Sequence, residues 1–115
     1  MVRTRSGVST PPNHGFGNPI ITEGDNSLVV IDTTVAIEHT QVVVDRLKEM
    51  TDKPIGAVIY THHHADRTNG AAVFISREDA ASGKVKVIAS ENLMRETVLE
   101  NLATGPLMGL RAGYM

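Results

Sequence analysis

His62, His64 and Asp66 stand at alternate positions in the run Thr61-His62-His63-His64-Ala65-Asp66-Arg67-Thr68-Asn69-Gly70, directly after the apolar stretch Ala57-Val58-Ile59-Tyr60. In extended backbone, successive side chains point to opposite faces. The spacing therefore predicts two imidazoles and a carboxylate converging on one side, with His63 and Ala65 on the other. Nitrogen and oxygen donors in that arrangement suit a first-row metal such as zinc, which in catalytic sites keeps one position open for water. A solvated polar turn is the plainer reading. Tag-like histidine clusters, however, sit at termini and do not follow a buried strand, and the strand before and glycine after this cluster favour the metal.

The chain has no cysteine, which excludes disulfides and thiolate ligands within it and leaves nitrogen and oxygen as donors. His14 and His39 stand alone, one in a polar leading stretch and one on a helix flank, and neither is added to the site. His63 and Asp32 are candidates to orient the ligands from behind, with a purely structural role as the alternative. Arg67 follows Asp66 directly. A guanidinium stays protonated at working pH, so Arg67 cannot ligate a metal, and its charge opposes a second cation nearby.

These side chains must be positioned by the strand that ends near Tyr60. Ile55 to Tyr60 reads as a buried strand, preceded by a helical pattern over Val35 to Thr51 with Ala36, Val43, Leu47 and Met50 along one stripe. Thr33 or Thr34 can cap that helix, and Asp52-Lys53-Pro54 stops it. Upstream, Pro19 to Glu23 and Ser27 to Asp32 read as a hairpin around Gly24-Asp25-Asn26. Leu28 to Ile31 is apolar on both faces, the mark of a strand covered on both sides. Strand, helix and strand then form a parallel unit with a right-handed crossover.

Downstream, Asn69-Gly70 opens a short helix over Ala71 to Ser76, Arg77 to Lys84 reads as a polar connection, and Val85 to Ala89 as a fourth strand. Ser90 is expected to cap a helix from Glu91 to about Ala103, ended by Thr104-Gly105-Pro106. Leu93, Val98, Leu102, Met108 and Leu110 are expected in the core. Residues 1–17, with Arg3, Arg5, Pro11 and Pro12 and no apolar run, are expected to be a mobile arm ahead of a domain over 18–115.

Composition narrows the function classes. At 115 residues, 41% hydrophobic and 21% charged, the chain is at most one globular domain with a modest core. A formal net charge of -2, with basic residues scattered between acids, leaves no footprint for nucleic acid. Aromatics at 3% and no tryptophan leave no stacking platform for single strands. No stretch is long enough to span a membrane. Residues 1–17 lack the apolar segment of a secretory signal, and the compartment stays open.

The order hairpin, helix, strand ending in His-x-His-x-Asp, then helix, resembles the N-terminal half of the metallo-β-lactamase fold. Ile20 through Asp32, Ala57 through His62, Val87-Ile88-Ala89, and Glu100-Asn101 through Arg111-Ala112-Gly113-Tyr114-Met115 look like the alkylsulfatase branch of that superfamily. The resemblance implies an α/β fold, a partial αββα sandwich with one mixed sheet and its helices and the second half absent. It implies one or two zinc ions, with His62 and His64 as ligands and Asp66 as a ligand or catalytic orienting group at the second metal. It also implies a small-molecule substrate, an alkyl sulfate hydrolysed to alcohol and sulfate. Members of this family are often periplasmic or secreted.

In the alkylsulfatases the residue after the aspartate is a histidine that binds the second zinc; here it is Arg67. Zinc-dependent β-lactamases often carry Asp-Arg at this point and take a cysteine from a distant loop, so a β-lactamase-like zinc hydrolase is a second reading. A non-catalytic fragment that packs with a partner is a third. A catalytic zinc usually has three protein ligands, and the resemblance places further histidine and acidic ligands later in the fold. The chain is therefore expected to be an incomplete catalytic domain, inactive alone. Its sheet would be covered by helices on one face only, and the apolar face left over favours homo-oligomers.

Overall fold

A computed structural model describes residues 2–3, 7–10 and 17–113. Six strands form one mixed sheet in chain order: β1 (Val2–Arg3), β2 (Val8–Thr10), β3 (Ile20–Glu23), β4 (Leu28–Ile31), β5 (Ile55–Ile59) and β6 (Lys86–Ile88). The helices are α1 (Ile37–Lys48), α2 (Ala65–Thr68), α3 (Ala71–Phe74), α4 (Arg77–Ala81), α5 (Leu93–Ala103) and α6 (Gly105–Ala112). Pairing is antiparallel from β1 to β4 and parallel from β4 through β5 to β6. Among the described residues, no helix is long and apolar enough to cross a membrane.

The β3–β4 hairpin and the β4–α1–β5 crossover are where the apolar patterning placed them. Leu28 and Val30 of β4 and Val58 of β5 are buried against Val43 and Leu47 of α1, with Ile21 of β3 closing the cluster. Each such side chain contributes about 1.5–3 kcal/mol on burial. The stripe on α1 is Thr40, Val43, Val44 and Leu47. Ala36 precedes the helix instead of belonging to it, and Met50 lies beyond its end, 36% exposed.

Neither Thr33 nor Thr34 caps α1. Ala36 holds the cap position without a side-chain bond. Thr34 Oγ1 and Thr40 Oγ1 lie 2.7 Å apart and stand 2.9 and 3.0 Å from the Ala36 carbonyl. Two hydroxyl protons serve these three contacts, and the helix starts two residues later than its pattern. The same corner requires Gly70, because a Cβ there would collide with Thr40 Oγ1.

Three further elements differ from expectation. Residues 77–84 are not a plain connection: Ser76 accepts a hydrogen bond from the Asp79 N–H at 3.0 Å and starts α4, a local N-cap that outweighs the polar composition. Ser90 does not cap α5, whose cap position is Asn92. Thr104-Gly105-Pro106 ends α5 and at once begins α6, since proline in a first helical turn forfeits no hydrogen bond. Val98, Leu102, Met108 and Leu110 are half or more exposed and are not core. Helices α5 and α6 pack chiefly on each other; a periodic apolar stripe shows that a face is apolar, not that something covers it.

The face of the sheet away from α1 carries a row in register across four strands: Ile20 pairs with Ile31, Ile31 with Ile59, and Ile59 with Ile88. Ile20 and Ile88 are 42% and 47% exposed, while Ile31 and Ile59 are half-buried. The expected one-sided cover therefore holds for β3 to β5 only; on β6, Val87, in register with the buried Val58, is 46% exposed as well. Of the expected arm, residues 2–3 and 8–10 are strands at the sheet edge; side-chain amphipathicity gave no sign of them because such edge pairs form through backbone hydrogen bonds. Gly17, placed at the end of that arm, packs so close to the Asp66 backbone that a Cβ would strike its carbonyl oxygen. Of residues 1–16, those other than 2–3 and 7–10 lie outside the described residues.

Candidate metal centre

The histidine loop leaves the carboxyl end of β5 and is tied to the segment that leaves the parallel neighbour β4. Asp32 is in the left-handed region at φ 58, a conformation that costs a non-glycine residue about 1–2 kcal/mol. This turn aims its buried carboxylate at the next strand. Oδ1 accepts from the Thr61 N–H at 2.8 Å and Oδ2 from the Thr61 hydroxyl at 2.7 Å. Further along, the Thr33 N–H and hydroxyl both donate to the Arg67 carbonyl, at 2.8 and 2.9 Å, and the Gly70 N–H donates to the Thr34 carbonyl at 3.0 Å. Residues 32–34 thus grip the loop at its start, middle and end.

Thr61 Oγ1 also lies 2.9 Å from His62 Nδ1. A hydroxyl has one proton, and a carboxylate can only accept. With the Thr61 proton given to Asp32, His62 must donate from Nδ1, which in the neutral imidazole places the lone pair on Nε2. Asp32 therefore acts on His62 through Thr61 and touches no candidate ligand itself. Tyr60, at the end of β5, has its phenol pKa raised by burial.

The alternation expected through Asp66 holds only to His64, which is extended at φ -60, ψ 143 and precedes the single turn α2. Asp66 is helical. One donor atom from each of His62, His64 and Asp66 nevertheless lies within 4.8 Å of the others, and the two imidazole rings are 4.8 Å apart, edge to face. A tetrahedral zinc with bonds of about 2.0–2.2 Å needs donors roughly 3.5 Å apart. Both histidines are exposed and can rotate to close the difference, so the donor set fits such a cation. His14 lies outside the described residues. His39 is exposed on α1 and belongs to neither group of converging donors among the described residues.

Two charged neighbours complete the site. Arg67 Nε is 3.3 Å from Asp66 Oδ2, yet it makes no hydrogen bond and is buried without a partner; the contact is electrostatic, not directed. On the other side, Glu100 of α5 reaches His63 Nε2 at 2.8 Å and His64 Nε2 at 3.5 Å. Sequence reasoning did not single out Glu100 as a site residue. It is one of two acids on α5, a helix without a marked apolar face, and only the docking of α5 beside the loop distinguishes it. A cleft of about 530 Å³ opens between loop and helices, lined by His63, His64, Asp66, Glu100, Asn101 and Met108 among others.

The family model of the metallo-beta-lactamase superfamily matches residues 12–109. The chain belongs to that superfamily. Within it, the chain is 35% identical over 92 residues to a linear primary-alkylsulfatase of Pseudomonas sp. (strain ATCC 19151), a match that covers 80% of this chain and 17% of the relative. The solved structure of the stereoselective inverting sec-alkylsulfatase Pisa1 from Pseudomonas sp. is 36% identical with a TM-score of 0.78, over 86% of this chain and 16% of that one. A metallo-beta-lactamase from Hirschia baltica superposes with a TM-score of 0.61 at 25% identity, over 87% of this chain and 47% of that one. This member of the superfamily thus spans about one-sixth of the alkylsulfatases it matches and is a partial metallo-beta-lactamase fold.

Proposed function

We propose that this chain is the histidine-loop portion of a zinc-dependent hydrolase of alkylsulfatase type, acting on alkyl sulfate esters to release alcohol and sulfate. The observation that carries the proposal is the convergence of His62, His64 and Asp66, with His62 held in the tautomer that frees Nε2. In this reading His62 and His64 are zinc ligands through neutral imidazole, and Asp66 supplies a carboxylate oxygen on the same side. When bound, zinc supplies Lewis-acid polarisation of the ester and an acidified water. Arg67 shares Asp66 Oδ2 and repels a second cation, so one zinc is bound instead of two. The three donors are an incomplete catalytic set, and the chain alone binds zinc without turning over substrate. The isoleucine row is the face that a second sheet covers, and without that sheet the chain self-associates.

The experiment compares this chain with a chimera in which it replaces the matching stretch of an alkylsulfatase relative. Zinc uptake by both, lost on His64→Ala, and sulfate release from dodecyl sulfate by the chimera alone are expected. No uptake in either, or uptake indifferent to His64→Ala, defeats the metal assignment. The Asp66–Arg67 contact favours a second reading, a β-lactamase-like zinc hydrolase; hydrolysis of a β-lactam but of no sulfate ester would put it first. A chimera that takes up zinc and hydrolyses neither would leave the non-catalytic fragment.

A further inference from the structure

The histidine loop offers a second donor set that does not include Asp66. His63 Nε2 lies 2.8 Å from Glu100 Oε2, and His64 Nε2 lies 3.5 Å from Glu100 Oε1. One donor atom from each of these three residues is within 4.8 Å of the others. Two elements distant in sequence build the set, and the loop is held in place independently of any ion. It is anchored to Asp32 through Thr61, and α5 passes close beside it: Thr97, one turn before Glu100, donates to the Leu93 carbonyl at 2.8 Å with its hydroxyl 3.4 Å from the His63 carbonyl.

Charge and access both suit a cation. The Glu100 carboxylate stands between two imidazoles that border the 530 Å³ cleft, and the side chains are 26%, 51% and 43% exposed for His63, His64 and Glu100. A hydrated ion can therefore reach them. Two nitrogens and one carboxylate select zinc, cobalt or nickel over calcium or magnesium, which prefer oxygen throughout.

We propose that His63, His64 and Glu100 form a transition-metal site of their own, alternative to the one at His62, His64 and Asp66. Both sets need His64, so the two compete and the chain holds one ion at a time. An ion seated against Glu100 withdraws His64 from the hydrolytic set; the position is a resting or inhibitory one. The site itself rests on the loop geometry; its resting or inhibitory role rests on the hydrolase reading.

Cobalt(II) is the probe, because its visible absorption reports coordination without any turnover. In the full 115-residue chain carrying His62→Ala and Asp66→Asn, one equivalent of cobalt is expected to remain bound. Adding Glu100→Gln, which keeps the side chain's shape, or His63→Ala should each weaken that binding by at least about 100-fold. Absence of cobalt uptake by the His62→Ala, Asp66→Asn chain overturns the proposal. So does uptake that either added variant leaves unchanged. If wild-type uptake falls in the first double variant and not in Glu100→Gln alone, this site is lost and the His62, His64 and Asp66 assignment stands.

Discussion

Asp32 and Thr61 are joined by two hydrogen bonds, Thr61 N–H to Oδ1 at 2.8 Å and Thr61 hydroxyl to Oδ2 at 2.7 Å, and that pair decides which nitrogen of His62 is free. The carboxylate takes the only hydroxyl proton, so the imidazole must give its own from Nδ1. A group that touches no ligand thereby sets the donor atom of one.

Asp32→Asn tests this directly. Asparagine tolerates the left-handed backbone, so the turn survives. Its amide would donate to Thr61 Oγ1, turn the hydroxyl proton toward His62 and move the imidazole proton to Nε2. Zinc affinity should fall by about 10–100-fold, and nitrogen NMR should show the tautomer exchanged. Thr61→Val should lose affinity similarly, while Thr61→Ser should keep it.

Arg67→His removes the guanidinium beside Asp66 Oδ2 and places an imidazole next to it. A second equivalent of zinc is expected in equilibrium dialysis. A stoichiometry that stays at one would mean that Arg67 does not limit the metal count.

Gly70→Ala drives a methyl group into Thr40 Oγ1, at a cost of about 1–3 kcal/mol read as a lower denaturation midpoint. Thr40→Ala in the same chain should recover part of that loss, because the two substitutions share one contact. Strict additivity would place the strain elsewhere.

Ile20→Lys with Ile88→Lys alters the two exposed ends of the isoleucine row. Self-association, followed by sedimentation, should drop while stability stays within about 0.5 kcal/mol. Leu28→Ala, on the covered face, should instead cost about 2–5 kcal/mol. Unchanged association in the lysine variant would move the sticky surface to α5 and α6.

Much of the frame was readable along the chain. The β3–β4 hairpin and the β4–α1–β5 crossover follow from runs of Leu, Val and Ile broken by Gly24-Asp25-Asn26 and Asp52-Lys53-Pro54, where local turn chemistry and burial agree. The ends of elements were less legible. Thr34 and Thr40 delay α1 by sharing the Ala36 carbonyl, a contact whose partner is six residues away. Pro106 stops one helix and starts another, and a proline signals either equally well.

The sequence by itself determined the donor types and their place: two imidazoles and a carboxylate after a buried strand, with no thiol to compete. Period-two spacing suggested convergence, though through a strand geometry that ends at His64. Only the tertiary structure decided which groups stand around those donors. Asp32 meets Thr61 because β4 and β5 are parallel neighbours, and Glu100 meets His63 because α5 docks beside the loop. Hydrogen bonds and ion pairs between residues 29 or 37 positions apart depend on three-dimensional packing, and no periodicity in a chain records them.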